Sequence, residues 1–246
     1  MRFTFFLFMS LFSPLELLAA ASAEPVRPIT IRYRQRPPYI EKSWGKLSGI
    51  CGDAVVNAFK KARIEIHEVE TPFLRQIAQF QAGDEQICSI GWLKTAKREE
   101  TMRFSEPICD DGQWVVIGHK GTVNTGITST EALLKNTVLK AARRAQFSFG
   151  EELDGLLEKQ GTTIVSVENP EQKQIFEMIL AGRVDFTFLP AREFDELIKE
   201  YKLRETDFVV LKPDDLKGPH YRYMICTMNV PDAVIKKFNK AISSAN

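Results

Sequence analysis

The chain is predicted to fold as an α/β protein built on parallel-rich sheets flanked by helices, and three observations lead there. Strand-like and helix-like segments alternate from Ile29 onward, the order that yields parallel strands joined by helical crossovers. Each segment carries its own period: residues 29–33 and 64–69 alternate apolar and polar, whereas residues 53–62 and 73–81 place apolar side chains at helical spacing. The length of 246 residues suits one large domain or two lobes of about 100 residues each, and 44% apolar content is ample for a core.

Residues 1–23 precede this alternation. Arg2 supplies a positive start, residues 3–12 are mostly apolar and rich in phenylalanine, and Ala21, Ser22 and Ala23 are small where a signal peptidase reads. Pro14 and Glu16 interrupt the run, which is shorter than the roughly 20 residues needed to cross a bilayer. The first cysteine is Cys51, so none stands at the cleavage point for lipid attachment. The expectation is a periplasmic protein whose signal is cleaved near Ala23, with no direct membrane anchor. Its net charge of +1 argues against nucleic acid and anionic lipid as partners.

Four cysteines, Cys51, Cys88, Cys109 and Cys226, follow the signal. In an oxidising compartment an even number allows disulfides, with three possible connectivities. No Cys-x-x-Cys pair is present, and His67, His119 and His220 are scattered. Neither a metal site nor a cofactor is expected.

Taken in order, residues 29–33 read as a strand, broken by Pro37 and Pro38. Residues 45–49 form a turn leading to Asp53, which has the character of a helix N-cap. Val55, Val56, Ala58 and Phe59 give that helix its buried stripe up to about Ala62. A strand over 64–69, a helix over 73–81 ended by Gly83, and a strand over 86–90 complete a β-α-β-α-β unit. Beyond it come an apolar strand over 113–118, strands over 137–141, 162–167, 184–188 and 208–211, and helices over 148–157 and 171–181, with Gly182 capping the latter. A strand over 221–227 and a helix over 230–245 close the chain.

The most specific signal is Arg98, six residues before Phe104, Ser105, Glu106 and Pro107. Here the chain resembles family 3 of the bacterial periplasmic solute-binding proteins, the type II periplasmic-binding-protein fold, in which an arginine precedes Phe-Ser-x-Pro at this distance. Residues 128–134 match that family's short helix before the second lobe, and residues 181–185 resemble its second-lobe signature. The resemblance implies two lobes, 24–112 with 219–246 and 113–218, joined by two crossover segments that form a hinge. A hinged cleft implies closure on a ligand.

In that family the arginine grips a ligand carboxylate, which makes Arg98 the first candidate, against the plainer reading of a surface arginine capping its own turn. Tyr39 and Phe73 occupy the family's aromatic positions. The hydroxyl position is Leu93 and the amine-binding acid aligns with Pro190; leucine donates nothing to a carboxylate and proline neutralises no ammonium. An α-amino acid is therefore a poorer expectation than an anionic or carboxylated small molecule. Arg36 adds cationic character, since guanidinium groups hold carboxylates through paired charge-assisted bonds. Trp92 and Gly91 stand at the binding loop. Ser148 opens a helix whose free N–H groups are expected to face the same anion, while Lys94, Lys97, Arg143 and Arg144 are expected on solvated surface.

These readings lead to a monomeric solute-binding protein serving an inner-membrane permease. A subunit reporting to a separate membrane sensor and a dehydratase- or lyase-like enzyme on the same scaffold are the alternatives. An enzyme needs a titratable group facing the ligand, and Glu41, Glu106, Asp110 and Asp111 are the acids nearest the cleft.

Overall fold

The computed structural model describes residues 28–83, 85–168 and 171–243; the expected signal, residues 1–23, lies outside them. Two five-stranded sheets organise the chain. The first begins with β1 (Ile29–Tyr33), followed by a hairpin of β2 (Glu41–Ser43) and β3 (Lys46–Ser48). Next come α1 (Ile50–Ala62), β4 (Ile66–Glu70), α2 (Phe73–Ala82), β5 (Ile87–Trp92), α3 (Ala96–Glu99) and β6 (Arg103–Asp110). The second sheet draws on β7 (Trp114–Gly118), α4 (Thr130–Leu134), β8 (Lys140–Arg144), α5 (Glu151–Lys159), β9 (Thr163–Val167), α6 (Gln172–Leu180), β10 (Phe186–Pro190), α7 (Ala191–Glu200) and β11 (Val209–Leu211). The chain then returns through β12 (Tyr221–Cys226) and ends its described part in α8 (Asp232–Ser243).

The strand orders are β4-β1-β5-β12-β6 and β11-β7-β10-β8-β9. Within the first, β4, β1 and β5 run parallel and β12 runs antiparallel to both β5 and β6. Within the second, β10, β8 and β9 are parallel, and β7 is antiparallel to β10 and β11. The result is the two-lobed, parallel-rich architecture expected from the sequence. Two connections cross between the sheets, from β6 to β7 and from β11 to β12.

Each sheet buries its apolar face against helices. Phe59 of α1 and Phe238 of α8 pack with ring centroids 4.8 Å apart over Ile29 and Ile31 of β1. Phe176, Phe194 and Phe208 form a second aromatic core on one side of the other sheet, and Trp114, Phe186 and Phe188 fill its opposite side. Two disulfides close the first sheet. Cys51 of α1 joins Cys109 of β6, and Cys88 joins Cys226, its direct register partner across β5 and β12.

Several boundaries depart from the sequence reading. Gly49 caps α1, and the predicted cap Asp53 lies in the helix's first turn. A Cβ on Gly49 would come 2.8 Å from the Tyr39 carbonyl oxygen, so a side chain there cannot approach the loop as closely. Strand β8 starts at Lys140 instead of 137, because the 136–138 segment is a turn in which Asn136 Oδ1 accepts the Val138 N–H. Helix α7 was not foreseen, although Phe194 and Leu197 carry its buried stripe directly after Pro190. No helix among the described residues is long and apolar enough to cross a membrane.

Candidate functional site

Parallel strands present their carboxyl ends to a crevice, and the cleft forms there. Past β1 stand Arg34 and Arg36; β5 ends in Gly91 and Trp92; β8 ends in Arg143 and Arg144, with Phe147 and Ser148 just beyond. Of the residues singled out in the sequence, Arg36, Phe73, Gly91, Trp92, Arg98 and Ser148 line one cavity. Tyr39 does not. The space within it open to the centre of a water molecule is about 20 Å³, roughly what one water needs. The cleft is closed by its own side chains, Phe73 meeting Phe147 at 6.0 Å between ring centroids.

Arg98 projects from the single turn of α3. Its Nη1 donates to the Leu93 carbonyl at 2.8 Å and its guanidinium lies 4.9 Å from the centroid of Trp92. No carboxylate among the described residues pairs with it. Burial first, and then the neighbouring charge of Arg222, lower its pKa to about 10. The opposite charge of a bound anion would offset both effects.

Trp92 is fixed by a chain of hydrogen bonds. Its Nε1–H donates to Ser89 Oγ at 2.7 Å, Ser89 donates to Gln76 Oε1 at 2.5 Å, and Gln76 Nε2 donates to the Thr71 carbonyl at 2.6 Å. Phe73 stacks on the indole at 5.4 Å. The aromatic wall beside Arg98 is thus held from both α2 and β5. Gly91 permits the turn out of β5: its φ is +84°, and a Cβ would lie 2.6 Å from Ile40 Cδ1.

Three expected roles are corrected. Arg36 is 4% exposed and fully engaged, with Nη1 and Nη2 each donating to Asp111 at 2.9 Å and Nε donating to Glu193 at 2.8 Å. Burial opposes its charge, but Asp111 and Glu193 outweigh burial and raise its pKa. Its charge is spent within the protein, on a link from the first sheet to α7. Tyr39 is fully buried; its ring lies under Arg36, with the guanidinium 4.4 Å from the centroid, and its hydroxyl donates to the Asp111 carbonyl at 2.5 Å. Ser148 reaches the cleft, yet its hydroxyl donates to Asp154 at 2.5 Å, and the Phe149 N–H donates to the same carboxylate at 3.1 Å. With Glu151, Glu152 and Asp154 in its first turn, α5 offers no welcome to an anion.

The basic residues expected on the surface divide. Lys97 is exposed, Lys94 pairs with Glu99 at 2.8 Å, and Arg143 pairs with Asp154 at 3.1 Å. Arg144 is instead 8% exposed inside the cleft, its guanidinium 4.4 Å from the Phe147 centroid. Burial lowers its pKa to about 10. Arg34 and Arg222 were also missed. Burial and then Arg144 push Arg34 well below its ordinary value, and Arg222 Nε donates to Asp111 at 2.6 Å. The signal was there for Arg34 and Arg144, since both lie at or just past the carboxyl end of a parallel strand; the misplaced boundary of β8 hid the second.

Among the acids near the cleft, Asp111 is held by Arg36 and Arg222. Asp110 accepts from the Gly112 and His220 N–H groups at the hinge. Glu106 is exposed. No group of three or more metal-ligating side chains occurs among the described residues.

Two α/β lobes closing over an arginine-rich, aromatic-walled cleft define a binding protein of the two-lobed periplasmic type. The chain belongs to the bacterial extracellular solute-binding proteins, family 3, whose model matches residues 29–244. Solved structures agree in fold. An ancestral arginine-binding protein bound to arginine superposes with a TM-score of 0.67 at 19% identity, covering 88% of this chain and 91% of that one. ArtJ of Geobacillus stearothermophilus, an arginine-, lysine- and histidine-binding protein, gives 0.65 at 16% identity over 89% of each. The ancestral amino acid-binding protein AncCDT-1, a precursor of cyclohexadienyl dehydratase, gives 0.63 at 15% identity over 88% of each. No curated protein matches by sequence.

Proposed function

We propose that this chain is an exported binding protein that captures a small anionic, carboxylate-bearing solute and delivers it to an inner-membrane transporter. One observation carries the reading: Arg34, Arg98 and Arg144 converge on the cleft with no carboxylate partner among the described residues, while the two carboxylates beside them, Asp111 and Glu193, are already paired with Arg36 and Arg222. A buried charge without a partner is costly, and a ligand carboxylate removes that cost through forked hydrogen bonds. Similar folds bind arginine. A cationic side chain entering here would meet like charge from Arg34 and Arg144, with Glu171 and Glu177 only on the exposed rim.

The same pairing argues for binding over catalysis, because the buried acids are fixed in ion pairs instead of facing a substrate. The lobe limits we assign are 24–112 with 219–246, and 113–218. Residues 1–23 are assigned as the cleaved export signal, and the chain is assigned as a monomer.

A thermal-shift panel of small carboxylates, neutral amino acids and L-arginine tests the reading. Carboxylates are expected to raise Tm and L-arginine to leave it unchanged; a shift with L-arginine and none with any carboxylate contradicts it.

A further inference from the structure

The cavity at Arg98 continues into a larger groove at the mouth of the cleft. The two share Arg34 and Phe73. The groove has a volume of about 790 Å³ and lies between the lobes, with Pro72 and Leu74 on one side and Arg144 and α6 on the other. Arg34 follows β1 and Arg144 ends β8, so each lobe contributes one arginine. Arg34 lies 5.9 Å from the Phe73 centroid and contacts only the Gln35 carbonyl, at a marginal 3.5 Å. Arg144 rests on Phe147, and its guanidinium has no hydrogen bond or ion pair among the described residues. In both, an aromatic ring lies beside the guanidinium and takes no N–H donor from it, and those donors are the part that forks onto a carboxylate. Glu171 and Glu177 also border the groove, from the exposed side of α6.

Two like charges brought together from opposite lobes resist closure. An anion between them reverses the sign of that interaction, so the pair both recognises charge and couples it to closure. Arg98 alone satisfies a monocarboxylate and leaves this second pair, which feels the charge of Glu193 only at a distance, without an ion-paired carboxylate. Building on the carboxylate reading above, we propose that Arg34 and Arg144 form a second anion subsite and that the ligand is a small dicarboxylate, one carboxylate on Arg98 and the other between Arg34 and Arg144.

Calorimetric titration of the mature chain with glycolate, malonate, succinate and glutarate tests this. On the wild type, at least one dicarboxylate is expected to bind tenfold or more tightly than glycolate. Arg144→Gln and Arg34→Gln are expected to erase that preference by weakening the dicarboxylate tenfold or more, a larger factor than either costs glycolate. The unliganded Tm of Arg144→Gln should equal or exceed that of the wild type, since an unpaired buried charge is removed. Dicarboxylates binding no better than glycolate on the wild type overturn the subsite while leaving the carboxylate reading intact, and that comparison stands even if a variant fails to fold. Equal weakening of both classes by Arg144→Gln also overturns it. If no carboxylate of either class binds, the proposed function falls with it.

Discussion

Asp111 shows how a single side chain decides what its neighbours can do. Burial works to raise its pKa, but Arg222 and Arg36 outweigh burial and hold it at about 2. A carboxyl whose folded value lies below its ordinary one stabilises the fold fully above that ordinary value, here about pH 4, and loses the contribution as pH falls towards 2. The shift corresponds to about 2 kcal/mol. Asp111→Asn should therefore flatten the fall in Tm between about pH 4 and pH 2; an unchanged profile would show that another group carries the acid sensitivity. At this scale the sequence was only partly legible. The Arg98 motif is local, ten residues from Arg98 to Pro107, and so it is visible in sequence. Arg36 carries no such motif, and only the fold brings Asp111 and Glu193, distant in sequence, onto its guanidinium.

Elements were read more securely than residues, because period is a property of many side chains at once. Strands β1 and β9 and helix α2 fall within a residue of their expected limits. The failures have local causes: Val138 looks like a strand residue but is 81% exposed in a turn, and α7 hides behind Pro190, which ends a strand and precedes a helix in one step. Strand β5 carries the greatest constraint on the site. Gly91→Ala would put a Cβ at positive φ, at a cost of about 1–3 kcal/mol, and against Ile40. Urea unfolding should show a lower midpoint with an unchanged m-value, and loss of ligand binding should accompany it as Trp92 and Leu93 are displaced. Unaltered stability and affinity would mean the loop has room that its geometry denies.

At the scale of the whole molecule, Leu93 of the first lobe enters the core of the second sheet, and two further contacts join the lobes beside the arginine cleft, the Arg36–Glu193 pair at 2.8 Å and the Phe73–Phe147 packing. Both lie beside arginines left without partners, so the closed form combines a built-in latch with an unsatisfied charge that a ligand is placed to neutralise. Neither was visible in sequence, since each joins residues that come together only when the second sheet docks on the first. The two-lobed order itself was visible, because strand and helix succession and the Arg98 motif point to the same scaffold. The most direct test of anion capture is a calorimetric comparison of wild type and Arg98→Ala with the tightest carboxylate of the panel. A loss on the order of a hundredfold is expected, about 3 kcal/mol for a charge-assisted bidentate contact, with the unliganded Tm maintained. Affinity kept within threefold would contradict it and make Arg98 a structural cap of its own loop.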